Sequence, residues 1–274
     1  MSAVAALAGW ELRTAVRSRW VVAMSVVFTV ACLAVTLFGL RTLRELGLAG
    51  AGAASDGLLN LGVLFPPLIG LLLGAGSVAS ARERRTLAML ASQPVRPAVV
   101  VAGWFLGLTG AMWLTVAVAF GASGVAIGSV VQGSDLPAFL AVVAVTLAVT
   151  AVSVAIGIAI SSLASNRMQA LAMVVAVWFS LAIGMDLLMI VVVPGLGLGP
   201  FAMLVAVLAN PLEAGRLLAI LTLDPGATVL GPFGPYLVER FGTTGSKMLL
   251  AAALTAWTAG ALAVSHAALR RRDI

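Results

Sequence analysis

Residues Ala138–Leu163 read AFLAVVAVTLAVTAVSVAIGIAISSL, an apolar run without a single charged side chain. An α-helix needs roughly 20 such residues to cross the hydrocarbon core of a bilayer. Only helices and closed barrels satisfy their backbone there. The run lacks the period-two alternation of a barrel strand, so it predicts a membrane-spanning helix. Comparable apolar runs occur at Trp20–Leu40, Leu58–Ser80, within Ala98–Gly121, at about Met168–Val193, which holds Asp186, and at about Met248–Leu269. The fold class expected is therefore all-α, a polytopic membrane protein with six transmembrane helices and the lipid bilayer as its solvent.

Composition agrees. Of the 274 residues 62% are apolar and 9% charged, against about 45–50% and about 25% in soluble domains. Too few charges exist to cover that much apolar surface in water. The pI near 11.2 does not indicate nucleic acid, because the basic residues punctuate apolar runs and gather in no soluble patch. Cys32 is the single cysteine, which leaves no internal disulfide. Trp20–Leu40 spans about 21 residues, too long for the apolar region of a secretory signal. Thr29-Val30-Ala31-Cys32 faintly resembles a lipoprotein cleavage box, but the run continues past Cys32.

Phe201–Leu221 is long enough to cross, yet Asn210-Pro211 interrupts it and Glu213 and Arg216 charge it. Proline removes a backbone donor and obstructs the preceding turn, and each charge at mid-bilayer costs about 2.5–3.5 kcal/mol on insertion scales. The expectation is a re-entrant pair of short helices on the outer side before the last span. Lys/Arg-rich loops lie in the cytoplasm. With six spans, eleven of the 16 basic residues fall on one side, among them Arg13, Arg17, Arg19, Arg82, Arg84, Arg85, Arg96, Arg167 and Arg270–Arg272. A seventh span would move the Arg270–Arg272 tail outside, so both termini are expected to be cytoplasmic. The chain then divides as one domain: 1–19 an interfacial helix, 20–193 spans one to five, 194–247 the outer re-entrant region, and 248–274 span six with its tail.

Candidate chemistry is sparse. The internal loop Ala81–Pro97 reads ARERRTLAMLASQPVRP. Leu87, Leu90 and Ala91 share one face of a short helix that Gln93-Pro94 ends. It reads either as a solvated positive loop or as a helix docking into a partner's groove. Trp10 and Trp20 suit the headgroup level. Pro66 and Pro67 within span two mark either a kinked packing helix or a hinge beside a substrate path. Asp186, an acid inside a span, is by default a functional candidate. About 27 Å along its helix, it equally suits pairing with a loop cation such as Arg216. Met185 and Met189 are weak candidates for a soft metal ion; gap-filling is the commoner use of methionine. Cys32 and His266 read as packing residues. Gly242–Lys247 has the wrong spacing for a phosphate-binding loop, and no HExxH motif, carboxylate pair within a span or Ser–His arrangement suggests catalysis. Energy for any transport is expected from a partner.

Several segments together resemble the permease subunits of type-2 ABC exporters. More specifically, they resemble the copper-processing permeases of nitrous-oxide reductase maturation systems. These are Glu11-Leu12-Arg13…Arg17-Ser18-Arg19-Trp20; Arg82-Glu83-Arg84-Arg85-Thr86-Leu87…Leu90…Gln93-Pro94-Val95; Val177-Trp178-Phe179…Asp186-Leu187; Asn210-Pro211-Leu212-Glu213…Arg216-Leu217; and the Arg270–Arg272 ending. The chain departs from that family where Arg85-Thr86 replaces Gly-Thr and Gly103-Trp104 replaces Gly-Lys. The resemblance implies a non-catalytic homodimer in the bacterial plasma membrane. Each copy would bind a cytoplasmic ATPase that uses ATP and magnesium, with no cofactor in this chain. Arg82, Glu83, Arg84, Arg85, Thr86, Leu87, Leu90, Gln93 and Pro94 would form the coupling helix. Pro66, Pro67, Asp186, Asn210, Pro211 and Arg216 would line the path or outer gate, next to a periplasmic accessory protein. The cargo implied is a sulfur or copper species for metal-centre assembly. Alternatives are an exporter of lipid, peptide or drug, a membrane anchor, and a membrane enzyme.

Overall fold

The computed structural model describes residues 3–45, 52–83, 96–129, 136–187, 199–224, 226, 230 and 233–271. Helices α1 to α5 cover Ala3–Arg17, Arg19–Glu45, Gly52–Glu83, Pro97–Gly128 and Leu136–Leu163. Helix α6 covers Arg167–Phe179 and continues through a π-helical turn at Ser180–Gly184 to Leu187. Helices α7, α8 and α9 cover Pro200–Leu208, Pro211–Leu223 and Phe233–Arg271. Among the described residues no strand occurs, and α2, α3, α4, α5, α6 and α9 are each long and apolar enough to cross a membrane. This is the six-span, all-α architecture expected. Two boundaries differ. The helix of the sixth span begins at Phe233 rather than near Met248 and bends at Gly242, whose φ of +70° suits a residue without Cβ. The fifth span carries a π-helical turn, and its predicted end beyond Leu187 lies outside the described residues.

Six passes return the chain to its starting side. Leu12, Ala15 and Leu269 accordingly share one apolar cluster with Val101, Trp104 and Leu108. We call this the terminal end. A second cluster fills the far half, joining Leu40, Leu58, Leu59 and Ile127 to Leu204, Val207, Leu212 and Leu221 of α7 and α8. Helices α3, α4 and α5 form the interior, while α2, α6 and α9 expose most of their surface.

Without a hydrophobic force between helices in lipid, close packing and hydrogen bonds hold the bundle. The α3–α5 contact is the tightest. A Cβ on Gly74 would come 2.6 Å from the Val154 carbonyl oxygen, and one on Gly157 would strike the Leu71 carbonyl. The Ser161 hydroxyl then donates to the Ala75 carbonyl at 2.6 Å and accepts from the Ala79 N–H at 2.9 Å. Helix α1 is locked to α4 in the same way. Gly107 leaves room where a Cβ would sit 2.7 Å from the Ala8 carbonyl oxygen. The interfacial helix of the sequence is thus also a packed element, with Trp10 and Trp20 left exposed.

Candidate functional site

Two places gather the predicted site residues. The first is the terminal end of α3. Arg82 Nη1 donates to the Ala164 carbonyl at 2.6 Å, and Glu83 Oε1 accepts from the Arg167 N–H at 2.8 Å. Both side chains therefore grip the turn between α5 and α6. Asn166 caps α6 in that turn, its side chain accepting from the Gln169 N–H. Arg84, Arg85, Thr86, Leu87, Leu90, Gln93 and Pro94 lie outside the described residues. The chain re-enters the structure at Arg96 and starts α4 at Pro97, the position where proline's missing N–H costs nothing. Six residues into α4, Gly103 would bring a Cβ within 2.6 Å of Leu7. Trp104 Nε1 donates to Glu11 Oε1 at 2.7 Å. An indole thus meets that carboxylate. Burial pushes the Glu11 carboxyl up, and the Trp104 hydrogen bond draws it partly back.

The second place is the re-entrant pair. Helices α7 and α8 meet at 113° across Ala209-Asn210, the break that Asn-Pro predicts. Backbone groups freed by such a break inside a bilayer need partners, and side chains supply several of them. Asn210 Oδ1 accepts from the Leu212 N–H at 2.9 Å and lies 3.4 Å from the Glu213 nitrogen. Its Nδ2 donates to the Leu181 carbonyl in the π-helical turn of α6, at 2.7 Å. Trp257 Nε1 of α9 donates to the Leu208 carbonyl at 3.0 Å. Leu181 lies fourteen residues from Arg167, and Trp257 fourteen from Arg271. At 1.5 Å per residue both place the tip about 21 Å from the terminal end, roughly half-way through the bundle. The tip thus lies about half-way through the bundle, and neither helix alone has the roughly 20 residues a crossing needs.

Beyond the π-helical turn Asp186 meets Arg216. Arg216 Nη1 lies 3.2 Å from Asp186 Oδ1 and 3.0 Å from Glu213 Oε1. Of the two readings of Asp186, the ion pair with Arg216 is present in the structure. Pro211 is the first residue of α8 and buried. Pro66 and Pro67 are buried inside α3, where the Leu64 carbonyl accepts from Trp178 Nε1 at 3.2 Å. Met185 lies on α6 one residue before Asp186, and Met189 is outside the described residues. Glu11, Trp104, Trp178, Glu213 and Trp257 are polar partners that sequence reading does not select. One signal was available: Asn210-x-x-Glu213 has the spacing of a helix-capping box.

The family model described as "ABC-2 family transporter protein" matches residues 5–274. A relative from Pseudomonas aeruginosa, named "Probable ABC transporter permease protein NosY", is 30% identical over 280 residues, covering 100% of this chain and 100% of the relative. A protein of the same name from Stutzerimonas stutzeri is 25% identical over 283 residues, covering 99% of each.

Proposed function

The chain belongs to the ABC-2 transporter family as a permease subunit, and on that premise we propose how it couples and what it serves. It works as a homodimer in the bacterial plasma membrane, each copy bound to a separate cytoplasmic ATPase. Both termini are cytoplasmic, consistent with the basic residues of the terminal end. The segment Ala81–Pro97 is the coupling helix, and ATP with magnesium acts in the partner. The observation that carries this reading is how the two flanks of that segment are held. Before it, Arg82 and Glu83 grip the α5–α6 turn. After it, α4 is locked to α1 through Gly103, Gly107 and the Glu11–Trp104 bond. A push on the segment therefore acts on two tightly joined helix pairs. The α3–α5 pair carries it toward the re-entrant tip, through α6 and its π-helical turn.

Pro66, Pro67, Asp186, Asn210, Pro211 and Arg216 line the path or its outer gate in this reading, which a periplasmic accessory protein would meet. The names of the two relatives support assembly of the nitrous-oxide reductase metal centre, with a copper or sulfur species as cargo; Met185 and Met189 are the weak candidates for touching it. A second reading, export of a lipid or another apolar cargo, draws support from a groove of about 510 Å³ between α5 and α9. Ile156, Leu163, Leu208, Trp257 and Val264 are among its lining residues.

The coupling role is tested by cysteines at Leu87 and Leu90. In native membranes they should cross-link to an ATPase subunit of the same complex. Labelling of those cysteines by an impermeant reagent in intact cells, with no ATPase adduct, would remove both the orientation and the mechanism.

A further inference from the structure

The ion cluster between α6 and α8 holds one more carboxylate than it has cations. Asp186 and Glu213 approach the same guanidinium nitrogen, Arg216 Nη1. Among the described residues no further ion-pair contact to Asp186, Glu213 or Arg216 is present. The surroundings supply little else. Helices α5 and α7 carry no charged residue, and the charges of α3 in the described part lie at its terminal end, apart from Asp56 near its start. Helix α9 contributes Glu239, Arg240 and Lys247, none within ion-pair distance of the cluster. Arg216 and Asp186 are the charged groups that act on Glu213.

The two carboxylates are not equivalent. The Glu213 side chain is 15% exposed and that of Asp186 47%. Glu213 Oε1 lies at ion-pair distance from Arg216 yet, like Arg216 Nε, is buried without a properly directed hydrogen bond. Asp186 is half-exposed, whereas Glu213 Oε1 is shut away from the surface. An uncompensated buried charge is removed most cheaply by taking up a proton, as when two carboxylates share one site.

We propose that Glu213 is a proton-binding site, where a proton added to its carboxylate leaves Arg216 paired to Asp186 alone. The proton comes from water at the far end of the bundle and joins a carboxylate oxygen, with no other bond made or broken. With Glu213 neutral, Arg216 ties α8 to α6 through one full ion pair, beside the Asn210–Leu181 hydrogen bond. With Glu213 ionised, two anions compete for one nitrogen and the tie loosens. The re-entrant pair thus holds α6 more firmly when protons are plentiful. The assignment extends the gate reading but needs neither an ATPase nor a cargo.

Infrared spectroscopy on the purified full chain in lipid nanodiscs tests it directly. The intensity of the protonated-carboxyl C=O band should be lower in Glu213→Gln than in wild type, and that difference should disappear as pH rises. In Asp186→Asn the band should titrate at lower pH, because the competing anion is gone. Thermal unfolding gives a second readout. A proton held more tightly in the fold than in the unfolded chain contributes stability that is full at low pH and lost as pH rises through the folded-state titration. The wild-type Tm should therefore decline over that range, and Glu213→Gln should decline less, keeping only the part that Glu11 contributes. Spectra of wild type and Glu213→Gln that coincide from about pH 4 to 9 would overturn the proposal, as would a band whose titration ignores Asp186→Asn. Both outcomes stand apart from the cross-linking test.

Discussion

Glu11 accepts the Trp104 indole hydrogen inside a contact that has lost most of its water. Desolvation is the larger effect, so its carboxyl sits above the ordinary carboxylate range in the fold. The ionised form is thus the costly one. Its contribution to stability is full below the unfolded-state value of about 4.3 and declines as pH rises through the folded-state value. Glu11→Gln keeps an oxygen to accept from Trp104 and carries no charge. Its Tm should exceed wild type at neutral pH and match it near pH 4, as a pH series of thermal scans would show. Tryptophan is a general donor in this protein. The indoles of Trp113, Trp178 and Trp257 all donate to backbone carbonyls of other helices. Hydroxyls more often turn back on their own helix, as Thr146, Thr150 and Ser153 do on α5.

At the scale of elements, side chains take up backbone groups at the tip of the re-entrant pair: Asn210 the Leu212 N–H and Trp257 the Leu208 carbonyl. Trp257→Phe keeps a smaller aromatic ring but removes the donor to the Leu208 carbonyl half-way through the bundle. A backbone acceptor left unpaired where lipid rather than water faces it costs about 1–3 kcal/mol, so the variant should unfold earlier in a denaturing-detergent titration. Trp113→Phe, whose indole donor is lost from another helix pair, should leave the re-entrant segment's resistance to proteolysis unchanged while Trp257→Phe lowers it. Equal effects of both on that segment would mean the tip does not depend on this bond. The π-helical turn of α6 belongs to the same unit, since its Leu181 carbonyl is where Asn210 attaches.

On the proposed coupling, the whole molecule joins a terminal end that receives force to a far end that holds the re-entrant pair. Arg82 and Glu83 bind the start of the coupling segment to the α5–α6 turn rather than pointing free to a partner. Their expected role shifts accordingly, from touching the ATPase to transmitting its push. Arg82→Ala in the assembled complex should leave ATP hydrolysis within about twofold of wild type, the scale of less than 0.5 kcal/mol typical of a neutral surface change. Transport should fall much further. A parallel loss of both activities would instead place Arg82 at the ATPase contact.

Much of this was legible in the chain alone. Long uncharged runs determine six spans, because no soluble core could bury them. The distribution of arginines argues for one orientation, and Asn210-Pro211 marks the break of the re-entrant pair, because proline cannot continue the helix before it. Sequence alone could not set the depth of that break, which depends on Trp257 and Leu181 arriving from helices distant in the chain. Nor could it find two carboxylates on one arginine nitrogen. Asp186 and Glu213 lie on separate elements, and their competition exists only where packing has removed the water that would otherwise keep them independent.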